Sequence, residues 1–147
     1  KTSPKYPNLL LVAAAVLDEQ QWFDDGGLIF SYDLHEQRLR LLLHLPYNLR
    51  RNDEFSFSPD GEWLTVRSTD RSNTMAQLHL HHLATDHTIV LNTTYPTAYP
   101  GYDWSTDSQW VVLAEEGYLL LYAPAFGYQR LVIYEYPHCN FATWINK

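Results

Sequence analysis

The sequence predicts an all-β protein assembled from repeated antiparallel units, and three observations carry that expectation. The stretch Phe55-Ser-Phe-Ser-Pro-Asp-Gly-Glu-Trp-Leu-Thr-Val66 is followed by an edited copy, Tyr102-Asp-Trp-Ser-Thr-Asp-Ser-Gln-Trp-Val-Val-Leu113. Ser58, Asp60 and Trp63 match Ser105, Asp107 and Trp110 at a constant offset of 47 residues. A repeat of that length marks supersecondary units stacked on one another. Apolar residues recur at period two, as strands half-buried on a sheet require. The chain also holds five Trp, eleven Tyr and six Phe, residue types that fit the pleated surface of a sheet.

Bulk properties narrow the function classes. The 147 residues are 46% hydrophobic and 18% charged, enough apolar material for a core within a single domain. The formal charge of −7 argues against nucleic acid or anionic lipid as a partner, since both call for a basic face. The single cysteine, Cys139, excludes an internal disulfide and a cysteine-based zinc cluster. The apolar run from Leu9 to Leu17 has the look of a secretory signal core. It is too short to span a bilayer, which takes about 20 residues, and the repeat register makes it a strand.

Taken in order, residues 1–8 carry Pro4 and Pro7 and form a turn into the first strand. Leu9 to Val16 does not alternate and is expected to be buried on both faces. Asp18 to Gly27 is a polar loop. Leu28 to Leu34 is a strand with Leu28, Phe30, Tyr32 and Leu34 on one face, and Arg38 to Leu45 is a half-buried strand with Leu39, Leu41, Leu43 and Leu45 on one face. Pro46 stops it.

The second unit has four strands. Glu54 to Ser58 leads into Pro59-Asp60-Gly61, where Pro sets φ, Asp binds back to the backbone and Gly accepts positive φ. Glu62 to Arg67 follows, then a polar loop from Ser68 to Thr74, a strand from Ala76 to Leu83, a turn at Ala84-Thr-Asp86, and a strand from His87 to Asn92. After a Pro/Tyr-rich connector the pattern restarts, with strands at Tyr102 to Ser105, Gln109 to Ala114, Tyr118 to Tyr122 and Gln129 to Tyr134. Asn140 to Ile145 reads as the first strand of another unit. No stretch has a helical pattern.

Four-stranded units at 40 to 47 residues match the blade of a β-propeller. The expected domain is thus one propeller-type unit over 1–147, with blade strands at about 8–46, 53–93 and 102–136 and an extra first strand at about 140–146. Phe-Ser-Pro-Asp-Gly-Glu-Trp-Leu at 57–64, with Gln77-Leu-His-Leu80 and Ala84-Thr-Asp86, resembles the TolB-type, WD40-like propeller repeat. The second copy departs from it at Thr106 and Ser108, and the first keeps only Ser3-Pro4. The resemblance implies the fold, and points to an exported bacterial protein. Closed propellers use about 4–8 blades. Three leave sheet faces and edges open, so the chain is expected to be part of a longer propeller. The alternative is that copies associate, with Phe141 to Ile145 pairing onto the edge at Leu9 to Val16, in the same chain or its neighbour.

Candidate chemistry is sparse. His79 and His81 project from one face of a strand and invite a metal, but zinc wants three or four convergent ligands, and with Leu78 and Leu80 opposite they are expected on a solvated face. Asp60 and Asp107 occupy equivalent turn positions, so Ser58, Asp60, Gly61, Ser105 and Asp107 are read as structural turn markers. Asp24-Asp-Gly-Gly27 lacks the alternating oxygen ligands of a calcium loop. Asn92-Thr-Thr94 is a glycosylation sequon. There is no Gly-x-Ser-x-Gly, phosphate loop or His-Glu-x-x-His, so no catalytic, cofactor or metal residue is expected. The tyrosine-rich connector is the candidate partner contact, through Tyr95, Tyr99 and Tyr102, because tyrosine presents rigid area at low entropic cost. These observations favour a non-catalytic protein-binding or scaffolding module whose partners are other subunits or the rest of a longer propeller. The alternative is the propeller portion of a prolyl-oligopeptidase-like hydrolase, whose propeller gates a separate catalytic domain.

Overall fold

The structure, a computed structural model, describes residues 3–15, 26–45, 55–69, 76–93, 101–115, 117–126 and 130–136. The strands form three antiparallel sheets in which each strand pairs with its neighbour in sequence. The first sheet holds β1 (Leu9–Ala15), β2 (Gly27–Asp33) and β3 (Arg38–Leu45). The second holds β4 (Phe55–Phe57), β5 (Trp63–Thr69), β6 (Ala76–His82) and β7 (His87–Thr93). The third holds β8 (Tyr102–Trp104), β9 (Val111–Glu115), β10 (Gly117–Tyr122) and β11 (Arg130–Tyr136). One 3-10 turn, Pro124–Phe126, interrupts the expectation of an all-strand chain. No helix among the described residues is long and apolar enough to cross a membrane.

The sheets pack in sequence order through two apolar clusters. Leu11, Ile29, Leu43 and Leu45 of the first sheet meet Leu64 and Val66 of the second. On its other side the second sheet presents Trp63, Leu78, Leu80 and Leu91 to Trp104, Val111, Leu113, Leu120 and Tyr122 of the third. Strand β5 therefore has no wet face: residues 63 to 68 are all buried, odd positions towards the third sheet and even ones towards the first. Side-chain hydrogen bonds cross the second seam. Trp104 Nε1 donates to Thr65 Oγ1 at 2.8 Å, and the hydroxyls of Tyr102 and Ser56 lie 3.1 Å apart.

Three expectations are corrected by this packing. Strand β1 is not buried on both faces: Leu11 packs inward, while Leu10 and Val12 are 36% and 39% exposed. The four leucines of β3 do not share a face. The pairing runs from Ile29↔Leu43 to Phe30↔Leu41, so Leu42 is an extra residue that flips the alternation. Leu43 and Leu45 turn towards the second sheet, and Leu39 and Leu41 turn away from it. Ser68, expected in a polar loop, is a buried residue of β5, which runs on to Thr69.

Gly61 joins the first two sheets. Its φ of +75° is the left-handed region that favours glycine, and its carbonyl accepts a hydrogen bond from Ser3 Oγ at 2.7 Å. A Cβ placed there would stand 2.6 Å from both the backbone nitrogen of Lys5 and Ser3 Oγ. Gly61→Ala is expected to cost about 1–3 kcal/mol, measured by urea denaturation, and to weaken hydrogen-exchange protection in the Ser3 to Tyr6 segment. A variant as stable as the parent would mean that this contact does not hold the segment in place.

Candidate interaction surface

The repeated turn is a hydrogen-bond device built twice from the same residues. In the second sheet the Ser58 and Trp63 backbones pair at 2.9 Å, Trp63 N–H donates to Ser58 Oγ at 3.0 Å, and Ser58 Oγ donates to Asp60 Oδ1 at 2.5 Å. Asp60 Oδ1 also accepts from the Glu62 N–H at 3.0 Å. In the third sheet Ser105, Asp107, Gln109 and Trp110 repeat each of these bonds, at 2.5 to 3.1 Å. The Ser105 hydroxyl, then the Gln109 N–H, hold the Asp107 carboxyl below its ordinary range. Where the second copy lacks Gly, Ser108 takes the left-handed conformation at φ +60°. Its hydroxyl accepts the Asp60 N–H at 2.9 Å.

The turns thus link blade to blade, Ser3 to Gly61 and Asp60 to Ser108. Ser3 itself departs from the pattern: its Oγ accepts from the Lys5 and Tyr6 N–H groups, and Leu9, the first residue of β1, stands six residues after it, where Trp63 and Trp110 stand five after Ser58 and Ser105. The five turn markers are embedded in backbone hydrogen bonding. Ion pairs reinforce the same end of the sheets, between Lys5 and Glu62 and between Arg40 Nη2 and Asp86 Oδ2, the latter at 2.8 Å.

The histidines are not on a solvated face. His79 and His81 are 4% and 1% exposed. Strand β6 lies between two neighbouring sheets, so the face opposite Leu78 and Leu80 is covered as well. His79 Nε2 lies 3.2 Å from Ser68 Oγ, and His81 Nδ1 lies 2.9 Å from Thr88 Oγ1. Burial lowers the pKa of His79 to about 4 and that of His81 in the same direction, with Asp86 opposing the second shift. Among the described residues no three His, Cys, Asp or Glu side chains gather as a metal would need.

Of the connector tyrosines, Tyr95 and Tyr99 lie outside the described residues, as do Asp24, Asp25 and the segment from Phe141 to Ile145. Tyr102 starts β8, half-buried against the core between the second and third sheets.

The outer face of the first sheet is a surface that composition and alternation do not reveal. Leu10, Tyr32 and Leu39 pair across it, as do Val12, Phe30 and Leu41. Leu39 and Leu41 are 56% and 49% exposed. One blade later, Leu64 and Val66 occupy the positions of Leu10 and Val12 and are 0% exposed, because the first sheet covers them. The equivalence of positions is fixed by backbone pairing: the bond from Leu34 N–H to Asn8 O corresponds to that from Leu83 N–H to Glu62 O.

No protein-family model matches the chain, and no curated protein matches it significantly. Solved structures do. The β-propeller domain of the trilobed protease from Pyrococcus furiosus, described as having an open velcro topology, superposes with a TM-score of 0.58 at 13% identity. The match covers 92% of this chain and 41% of that one. TolB from Acinetobacter baumannii matches with a TM-score of 0.51 at 12% identity, over 88% of this chain and 31% of that one. The chain therefore spans about two fifths and one third of these structures. At such identities the likeness concerns fold, and with the sheet order and repeated turns it identifies the architecture: the three sheets are open β-propeller blades.

Proposed function

We propose that the chain is a non-catalytic protein-binding or scaffolding module, acting within a larger assembly, whose first-blade outer face is covered by a further blade-like sheet. The observation that carries this reading is the contrast at one repeat position, where Leu10 and Val12 are 36% and 39% exposed and Leu64 and Val66 are fully buried. An apolar sheet face with Leu39 and Leu41 beside it is the kind of patch that marks an interaction site. Tyr95 and Tyr99 on the connector supply further rigid contact area in this reading, with Tyr102 anchoring its end. The test is native mass spectrometry of the protein purified from its own source, beside a Leu10→Glu, Val12→Glu variant. The expected result is a defined complex that the variant loses. A monomer free of partners at physiological concentration would overturn the proposal.

A second reading, the propeller portion of a prolyl-oligopeptidase-like hydrolase, is favoured by one observation: the 0.58 match is to a propeller domain that belongs to a protease. Reading the parent gene beyond both ends separates the two. An α/β-hydrolase segment with a nucleophile elbow supports the enzyme; further blades alone support the scaffold.

A further inference from the structure

Three blades of one chain permit a position-by-position comparison of what each presents to the blade before it. At two positions on the third strand of a blade, the first carries Phe30 and Tyr32, opposite Val12 and Leu10. The third carries Leu120 and Tyr122, opposite Leu113 and Val111. The second carries His79 and His81, opposite Val66 and Leu64. Only the blade packed on both sides among the described residues thus places two titratable rings at these positions, in its seam with the first sheet.

The groups around them offer little to a positive charge. From the first sheet the seam is formed by Leu11, Ile29, Leu43 and Leu45, with Arg40 at its edge. Strand β5 contributes Leu64, Val66 and Ser68, and β7 contributes Thr88, with His87 nearby. The described carboxylate nearest His81 is that of Asp86, whose Oδ1 stands 3.5 Å from His81 Nε2. That nitrogen is buried and makes no hydrogen bond. The other oxygen of that carboxylate, Oδ2, is held by Arg40 from across the seam, so Asp86 offsets only part of the cost that burial places on a charged His81. Further along this end, His82 Nε2 lies 3.5 Å from Glu62 Oε2, and Glu62 in turn pairs with Lys5.

We propose that the seam between the first and second sheets is an acid-operated joint, in which protonation of His79 and His81 releases the first blade while the second and third stay packed. Charge within a buried seam, offset at His81 only in part by Asp86, is relieved by admitting water, and here that means parting the sheets. The depressed pKa values, caused by burial, agree with rings that stay neutral until the seam opens. The inference stands independently of the proposed function.

Hydrogen exchange on the intact chain at about pH 7.5 and about pH 5, which bracket the ordinary histidine pKa and are corrected for intrinsic exchange rates, tests it. Protection in β1 to β3 should fall by up to roughly tenfold per pH unit for each proton taken up, while β8 to β10 hold theirs. A loss shared equally by all three sheets, or no loss, overturns the proposal without recourse to any variant. His79→Leu with His81→Tyr, which installs the residues of the third blade, should keep β1 to β3 protected at the lower pH. Persistence of the acid response in that variant also overturns it. Should that variant not fold, His79→Gln with His81→Gln is read by the same criterion.

Discussion

Leu64→Ala is expected to remove about 2–5 kcal/mol of stability, whereas Leu10→Ala, one blade earlier at the same repeat position, is expected to cost less than about 1 kcal/mol. Leu64 is fully buried between the first and second sheets. Truncating it removes both the transfer energy of the lost atoms and the contacts of the cavity lining, because β5 is held by sheets on both sides and collapses little. Leu10 projects from a face that solvent already reaches, so its truncation opens no cavity. Urea denaturation of the two variants is a direct comparison, since residue type, strand and repeat position are matched. Equal costs would mean that the outer face of the first sheet is covered in solution. Under the proposed function the small cost of Leu10→Ala should also grow when the partner is present, because binding to the folded form links the two equilibria.

That contrast also shows where residue-level reading succeeds and where it stops. Ser58 and Asp60, copied at Ser105 and Asp107, were legible as a turn because the bonds involved are local, spanning five residues, and the side chains that make them recur. The strands were legible for a related reason: alternation is a property of the pleat. Which face meets which neighbour is set by longer-range facts. Leu42 is chemically indistinguishable from the other leucines of β3, and only its pairing with β2 makes it the residue that reverses the alternation.

The rule that one face of a strand is wet puts His79 and His81 in solvent. That rule fails for an interior blade, where both faces are seams. Arg67 and Ser68 on β5 obey the same geometry: both are buried, although neither type predicts burial. The candidate surface was half legible. Three blades implied open sheet faces, but an apolar run without alternation does not show that Leu10 and Val12 are the residues that line one.

Stability should fall in two separate steps as the protein is acidified, and the upper step belongs to the buried histidines. His79 ordinarily titrates near 6.5 and is lowered to about 4 by burial. Between these values the unfolded chain binds the proton and the folded chain does not, so stability is complete above about 6.5 and declines as the pH falls towards about 4. Spread over that interval, the loss is about 3 kcal/mol. His81 acts in the same direction, moderated by Asp86. The lower step comes from carboxylates held below their ordinary values: Asp107 by Ser105 and the Gln109 N–H, Glu62 by Lys5, and Asp33 by the Glu36 and His35 N–H groups. Their contribution is present above the ordinary carboxylate range and is lost only as the pH falls through their depressed folded values. Urea titrations from neutral pH downwards should therefore show a decline beginning near pH 6.5, above any carboxylate effect. His79→Leu should flatten most of that upper decline and leave the lower one in place. A parent protein whose stability is constant between about pH 6.5 and 4.5 would mean that the ring is not held neutral in the seam.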